Sequence, residues 1–282
     1  MADIAVSASR QPDPGRAAAA HVGGRKLWYA GLAMLIGLLY VWAWRGMEFD
    51  LGRLARSFPH AWDFVTRMVP PDWSVSGTAV TALAETIQMA LLGTTFGALI
   101  SFPLAVMAAR NLSPRWLTVV ARGLLNLIRT VPSVVWGLFF VAAVGLGPFA
   151  GVLALSLYTV GYLGKFYFET FESMDNTAAE ALRTTGASQP QIFQYAVLPQ
   201  SLPLLANYTI FILEYSIRAA TILGVVGAGG VGYYFQVYLR NFDYQKAATL
   251  LVYLLVVVIA MDWFSGWVRK HLTIGATTEG RS

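Results

Sequence analysis

The residue types that most often carry catalysis or hold metal ions are scarce in this chain. Its 282 residues include no cysteine and three histidines, His21, His60 and His271, which all lie outside the long apolar runs. A disulfide, a cysteine–zinc site and a thiol nucleophile are therefore excluded, and the P-loop sequence that binds ATP does not occur. We expect no metal site and no histidine proton relay within the apolar runs, so charged residues and glycines are the remaining candidates.

Two charges interrupt an apolar run at about 202–225, where a charge facing lipid would be costly. Glu214 and Arg218 stand four residues apart, which places them on one face of a helix in the favourable order for an ion pair. Two interpretations are open. Either the pair neutralises itself within a helix bundle, or Arg218 lends positive potential to the pathway of an anion.

A glycine-rich stretch follows the same run. Gly227, Gly229 and Gly232 satisfy the G-x-G-x-x-G pattern of dinucleotide-binding proteins, and Gly230 lies between them. That interpretation requires a preceding strand and an acidic residue about 20 positions later, whereas an apolar run of helical length precedes the glycines here. We instead expect a helix break, where glycines let helices approach closely. Whether the bend belongs to a gate or serves packing alone is open.

The elements that position these residues are predicted to be transmembrane helices. Hydrophobic residues make up 56% of the chain and charged residues 12%, against about 25% charged residues in soluble domains. We predict an all-α polytopic membrane protein with about six spans, because the uncharged stretches can cross about 30 Å of hydrocarbon. The spans are predicted at about 27–44, 84–109, 124–145, 149–166, 202–225 and 247–268.

Polar tails are expected to flank a transmembrane domain of residues 27–272. Residues 1–26 are rich in Pro, Gly and Ala, which predicts disorder, and residues 273–282 form a second tail. Lys and Arg concentrate before the first span, between the second and third spans and after the sixth span, so the positive-inside rule places both termini in the cytoplasm. The net charge of +5 then needs no nucleic-acid partner, and membrane lipid surrounds the spans. The external segments 45–83 and 233–246 are candidate docking surfaces.

The longest predicted cytoplasmic loop, residues 169–203, has the pattern of two short amphipathic helices. Asn176 or Thr177 is the candidate cap of the first helix, which is predicted to run to Thr185 with Glu180 near its start. A carboxylate there favours the positive end of the helix. The second helix has its own start and end signals.

Gly186 is expected to separate the two helices at a sharp bend that a Cβ would obstruct. Pro190 can begin the second helix, and Leu198–Pro199 is expected to end it. The apolar face around Phe193 is expected to need a partner surface. A helix pair that lies on the bilayer would give the same pattern, so that alternative stays open.

The spacing of this loop resembles the EAA loop of bacterial ABC-importer permeases. Glu180-Ala181, Gly186 and Leu198-Pro199 match the pattern, whereas Leu182 and Ala196 depart from it and remain apolar. The resemblance implies a coupling helix that docks on a separate ATPase subunit. ATP and Mg²⁺ would be bound by that subunit, and this chain would hold no cofactor and catalyse no reaction. The residues implied are Glu180, Ala181, Gly186, Phe193, Leu198 and Pro199.

Residues 85–97, 129–136 and 217–232 resemble the phosphonate branch of these permeases. The resemblance implies a type I ABC-importer transmembrane domain in the bacterial cytoplasmic membrane. It implies a permease homodimer with two ATPase subunits and an external substrate-binding protein. The substrate would be a phosphonate or a related phosphorus oxyanion, such as phosphate or phosphite, imported by alternating access.

Three other functions are alternatives: an ABC permease for another small substrate, an ion-coupled secondary transporter and a membrane-embedded enzyme. A secondary transporter usually has ionisable residues or helix breaks near the midplane of several spans, and only the region of Glu214 and Arg218 offers these. An enzyme would need a catalytic histidine, a Ser/Lys dyad or paired carboxylates in the membrane. No histidine lies in a predicted span.

Overall fold

The computed structural model describes residues 14–47 and 50–278, with residues 14–27, 54 and 271–278 described by their backbone alone. Within these ranges the chain is helical and has no strand, which confirms the all-α prediction. The helices are α1 (Pro14–Gly46), α2 (Leu51–Arg67), α3 (Ser76–Ala108), α4 (Arg115–Thr130), α5 (Ser133–Val144), α6 (Pro148–Ser173), α7 (Thr177–Thr184), α8 (Gln189–Ile192), α9 (Leu198–Leu223), α10 (Gly230–Arg240) and α11 (Tyr244–Thr278), with a 3₁₀ turn at Trp73–Val75 and π-helical segments at Phe193–Val197 and Gly224–Ala228.

Two compact units make up the chain, Met1–Asp63 and Phe64–Ser282. Four helical stretches in the described residues are each long and apolar enough to cross a membrane: Trp73–Ala108, Pro148–Ser173, Gln189–Ala228 and Tyr244–Lys270. Two bent pairs, α1 with α2 and α4 with α5, raise the number to six if each pair forms one span. The prediction of about six spans therefore holds on that condition.

The third predicted span, 124–145, is not one helix. It is divided between α4 and α5, which meet at an angle of 87°. Val131 between them is extended, with φ −89° and ψ 121°. Pro132 explains the break, because the proline ring disfavours helical geometry in the residue before it and the nitrogen donates no hydrogen bond.

Helix boundaries also differ from the expected ones at the termini of the domain. Residues 14–26, expected to be disordered, begin α1, since Pro14 suits the first helical position and Ala17–Ala20 has high helix propensity. Residues 273–278 of the second expected tail belong to α11. The rest of both tails, 1–13 and 279–282, lies outside the described residues.

Two helices were not anticipated, α2 in segment 45–83 and α10 in segment 233–246. Helix α2 contains Arg53, Arg56 and Asp63, so it lacks the uncharged run by which spans are recognised. Helix α10 is uncharged up to Arg240, but its 11 residues are too few for a span of their own. The span predicted at 84–109 begins earlier, at Ser76, and the helix predicted at 149–166 continues to Ser173, so the loop expected from residue 169 begins later.

Close packing of α3 on α6 forms the centre of the second unit. A Cβ at Gly97 would lie 2.9 Å from the carbonyl oxygen of Ser156 and would overlap the side chain of Thr159, so only glycine permits this approach. Gly93 has the same role on the preceding turn of α3, where a Cβ would lie 2.6 Å from the Cβ of Leu155. Lipid provides no hydrophobic driving force for helix association, so membrane helices are held together by van der Waals contact, which small residues increase by letting the backbones approach.

Candidate functional site

The segment from Thr177 to Val197, here called the coupling segment, joins α6 to α9. Its first helix is held at the start by Asp175, whose carboxylate accepts hydrogen bonds from the backbone N–H of Thr177 at 3.0 Å and from the Thr177 hydroxyl at 2.8 Å. Asn176, one of the expected caps, makes no such bond with its side chain. The Thr177 N–H lowers the pKa of the exposed Asp175 carboxyl, because the bond stabilises its charged form.

Gly186 ends this first helix in the left-handed conformation, with φ +83°. Its N–H donates to Arg183 O at 3.1 Å and the next N–H, of Ala187, donates to Leu182 O at 3.2 Å, which is the pattern of a glycine-terminated helix. The expected bend is therefore present, and its positive φ is a conformation that a Cβ disfavours. No atom lies within 4 Å of the position that a Cβ would occupy, so the backbone dihedral, and not space, selects glycine.

The second helix of the coupling segment does not end at Leu198–Pro199. Its start agrees with expectation, since Pro190 lies in the first turn of α8 and the Ser188 N–H donates to the Gln191 side chain at 2.8 Å. From there α8, the π-helical Phe193–Val197 and α9 follow one another without a break. The N–H of Leu198 donates to Phe193 O, five residues back, and Pro199 occupies the first turn of α9, where its missing donor is least disruptive.

Phe193 packs inside the chain, contrary to the expectation that its face needs a partner surface. Its ring lies 6.2 Å from Phe102 of α3 and 5.5 Å from Phe171 of α6, measured between ring centroids. The contact with Phe171 is edge to face, an arrangement that adds to the stabilisation that burial supplies. The ring thereby ties the coupling segment to two membrane helices.

A second group of apolar residues holds the two short helices against each other. Ala179 of α7 is buried with Ile192 and Ala196 of the second helix. The outer surface instead presents Glu180, Ala181 and the aromatic ring of Tyr195, which is 66% exposed. Of the expected coupling residues, Gly186 and Pro199 are also exposed, whereas Leu198 is half-buried. Tyr195 is the exposed aromatic residue that the sequence pattern alone did not distinguish.

Glu214 and Arg218 of α9 belong to a network of four charges. Arg218 Nη2 lies 2.7 Å from Glu214 Oε1 and 2.6 Å from Asp262 Oδ1 on α11. The second oxygen of Glu214 accepts from Arg269 Nη2 at 3.3 Å. Among the residues that the structure describes, two cations face two anions, so these four charges cancel, an arrangement that supports mutual neutralisation over a positive potential at Arg218.

Sequence reasoning missed Asp262 and Arg269 as partners of this pair. The two residues are seven positions apart on α11 and therefore share one face of that helix. Asp262 is also the one charge within the sixth predicted span, 247–268. A charge in such a span usually faces a partner, so this signal was present in the sequence.

The glycine-rich stretch forms a tight reversal between α9 and α10. Gly227, Gly229 and Gly230 have φ values of +97°, +84° and +68°. The Gly147 N–H donates to Gly227 O at 3.0 Å, and the Val231 N–H donates to the Thr86 hydroxyl at 2.9 Å. The reversal is thus bonded to the turn before α6 and to α3, and it is the helix break that was predicted.

An apolar cavity of about 360 Å³ lies beside this reversal. Its lining contains no charged residue, so it offers no ligand for an oxyanion. The lining comes from α5, α9, α10, α11 and the π-helical Gly224–Ala228: Val134, Thr221, Ile222, Val225, Val226, Val231, Phe235, Leu250, Leu251 and Leu254.

Comparison with known proteins places this geometry in a family. Residues 101–274 match the family model of the binding-protein-dependent transport system inner membrane component. The phosphite transport system permease protein PtxC of Stutzerimonas stutzeri is 39% identical over 241 residues, which are 85% of this chain and 88% of that protein. The phosphate-import permease protein PhnE of Mycolicibacterium smegmatis is 38% identical over 212 residues, 73% of this chain and 39% of that protein.

Solved structures with a similar fold are ABC importers. An inward-facing methionine ABC transporter, MetNI, gives a TM-score of 0.65 at 22% identity and covers 71% of this chain and 99% of that chain. A bacterial ABC transporter that imports alginate gives 0.57 at 16% identity and covers 90% of this chain and 98% of that chain. These likenesses establish the fold as the transmembrane domain of a type I ABC importer.

Proposed function

We propose that this chain, which belongs to the family of binding-protein-dependent transport system inner membrane components, is the permease subunit of an ABC importer for a phosphorus oxyanion. The observation that carries the proposal is the coupling segment, Thr177–Val197, which presents a folded, partly polar surface at one end of the helix bundle. An amphipathic pair that merely lay on the bilayer would turn its large apolar residues outward. Here Ile192 and Phe193 pack inward and Glu180 is exposed.

The coupling segment would receive movement from a separate ATPase subunit that binds ATP and Mg²⁺. Glu180 would pair with a basic residue of that subunit, while Ala181 and Tyr195 supply contact area around it. The movement would reach the membrane by two routes. One is the continuous helix from α8 through Leu223, and the other is the ring of Phe193 against α3 and α6.

The proposed substrate is phosphite, phosphate or a phosphonate, as the names of the relatives PtxC and PhnE suggest. The neutral network around Glu214 and Arg218 offers no excess positive charge to hold such an anion. Selection would therefore rest with an external substrate-binding protein, and the permease would supply a gated pathway between two copies of this chain. The reversal at Gly227–Gly230 is the proposed outer gate.

Both termini and the coupling segment would face the cytoplasm of a bacterial cell, with the chain in the inner membrane. The excess of Lys and Arg before the first predicted span, between the second and third and after the sixth supports that orientation. A cysteine introduced at Tyr195 in the coupling segment, in a chain that has none of its own, would be labelled by a membrane-impermeant maleimide only after the cells are opened.

Uptake measurements test the proposal. The chain is expressed with its partner ATPase and substrate-binding protein in cells that lack their own import of phosphite, phosphonates and phosphate. Uptake of phosphite, methylphosphonate and phosphate is then measured separately. We expect uptake of at least one of them, and its loss when the ATPase is inactivated. Uptake that persists without the ATPase and follows an ion gradient would show a secondary transporter instead.

A further inference from the structure

A cavity of about 530 Å³ lies between the end of α3 and the first turns of α4, and three of its six lining residues are arginines. Glu172, which contacts two of these arginines, ends α6 close to the start of the coupling segment, so the cavity lies at the same end of the bundle. The lining residues are Arg110, Ser113, Arg115, Thr118, Val119 and Arg122.

Arg122 is fixed and neutralised by its neighbours. Its Nε donates to Ala108 O at 2.9 Å, its Nη2 pairs with Glu172, and its guanidinium stacks over the ring of Phe168 at 4.4 Å. Glu172 also accepts a hydrogen bond from the backbone N–H of Arg110 at 2.6 Å. Arg122, Glu172 and Phe168 thus form one side of the cavity, where the carboxylate of Glu172 neutralises the guanidinium of Arg122.

Two positive charges at the cavity are left without a counter-charge. The side chains of Arg110 and Arg115 are exposed and make no ion pair or hydrogen bond with any residue that the structure describes. The hydroxyls of Ser113 and Thr118 donate to backbone carbonyl oxygens and do not bind the two guanidinium groups. The cavity therefore has the charge of an anion site.

An exposed apolar stripe starts at the same cavity. Its members recur along α4 at helical spacing, and each is at least 45% exposed: Trp116, Val119, Val120, Leu124 and Leu127. Val119 belongs to both the stripe and the cavity lining. Tryptophan at the start of such a stripe is typical of the level of the lipid headgroups.

We propose that this cavity binds the phosphate of an anionic phospholipid, whose acyl chains lie along the apolar stripe of α4. Basic cavities between membrane helices on the cytoplasmic side suit such headgroups, and arginine matches phosphate geometry with paired donors. A free oxyanion would satisfy the arginines but would leave the stripe unused. The cytoplasmic position of the cavity rests on the proposed function, but the test measures lipid binding by the chain itself and does not depend on transport.

The test uses the full-length chain, purified in mild detergent and stripped of native lipid. Binding of phosphatidylglycerol and of phosphatidylcholine is measured by native mass spectrometry. Wild type is compared with Arg110→Gln/Arg115→Gln, with the conservative Arg110→Lys/Arg115→Lys, and with the control Arg53→Gln/Arg240→Gln, which removes two exposed charges elsewhere. Arg122 is left intact because it holds the wall of the cavity.

We expect wild type to prefer phosphatidylglycerol, and the glutamine pair at the cavity to bind it roughly 30-fold more weakly, the effect of two arginines near a membrane surface. The lysine pair and the control should stay within a few-fold of wild type. If the control variant loses as much affinity for phosphatidylglycerol as the glutamine pair, then binding depends only on the overall charge of the chain and the proposed site is wrong. The site is also wrong if wild type binds phosphatidylglycerol and phosphatidylcholine equally well.

Inorganic phosphate and glycerol phosphate separate the lipid from a soluble ligand. Neither should displace bound phosphatidylglycerol at equal concentration, because neither can occupy the stripe. If either binds as well as the lipid, and loses that binding in the glutamine pair, then the cavity serves a soluble oxyanion and the lipid assignment is wrong.

Discussion

Gly186 offers a graded test of the coupling segment, because its requirement is a backbone angle and nothing else. With φ at +83° and no atom within 4 Å of a would-be Cβ, a substitution adds strain without a clash. The left-handed region costs an L-residue with a Cβ roughly 1–2 kcal/mol, and it costs asparagine less because that side chain bonds locally. A cost of that size shifts the population of the turn by about 5- to 30-fold.

The predicted order for substrate-stimulated ATP hydrolysis by the assembled importer is wild type, Gly186→Asn, Gly186→Ala and then Gly186→Val. Valine is last because a β-branched residue is the least tolerated at positive φ. The matched control is Gly123→Ala on α4, which also has open space around its Cβ but lies inside a helix. That substitution should be neutral or stabilise the helix by about 0.5–1 kcal/mol.

Insertion into the membrane should be unchanged in all four variants, since no packed contact is touched. Hydrogen exchange of the amides at Gly186 and Ala187, which bond to Arg183 and Leu182, gives a readout independent of the ATPase. If Gly186→Val retains full stimulation of ATP hydrolysis while these amides exchange faster, then the bend does not contribute to coupling. If exchange is unchanged as well, the assigned backbone geometry is wrong.

Three further predictions concern other regions of the chain. Gly232→Ala should destabilise the protein by about 1–3 kcal/mol, because its Cβ would overlap Thr221 O, and thermal unfolding in detergent should show this against the unhindered control Gly37→Ala. Arg218→Ala should lower uptake more than Arg218→Lys, because lysine keeps the positive charge. If the network serves neutralisation, adding Asp262→Asn to Arg218→Ala should restore uptake. A failure to restore uptake would favour a positive potential at Arg218. The lowered pKa of Asp175 means that its cap stabilises α7 at neutral pH and is lost as the pH falls below about 4 through that pKa. Hydrogen exchange at the start of α7 should show this loss in wild type and not in Asp175→Asn.

Features that depend on a local run of residues could be predicted from the sequence. Long uncharged stretches identified α3, α6, α9 and α11, because lipid excludes charge wherever it is not paired. The breaks at Gly186 and Gly227–Gly230 were also predictable, because a positive φ favours glycine at that one position whatever its distant neighbours are. Helix α2 was not predicted because its charges leave no long uncharged run, and α10 was not predicted because its 11 residues are too few for a span.

Features that depend on a distant partner could not be derived. Nothing near Phe193 in the sequence indicates that Phe102 and Phe171 surround it, so an inward-packing ring looked like an exposed one. The same holds for Arg218, whose neighbour Glu214 is local but whose second carboxylate is 44 residues away. In both cases the contact partner lies on another helix, and a single sequence does not show which residues of different helices meet.

Two prolines at superficially similar positions show how the surrounding backbone decides the outcome. Pro132 follows an extended residue and divides α4 from α5 at 87°, whereas Pro199 follows a π-helical turn and leaves the helix continuous from Gln189 to Leu223. The π-helical turn moves the hydrogen-bond register by one residue, so the N–H of Leu198 bonds to Phe193 O and the proline meets the start of a new register. Because α9 continues from the second helix of the coupling segment, and Ala179 of α7 packs on Ile192 and Ala196 of that helix, a displacement of α7 can act on Glu214 and Arg218 of α9.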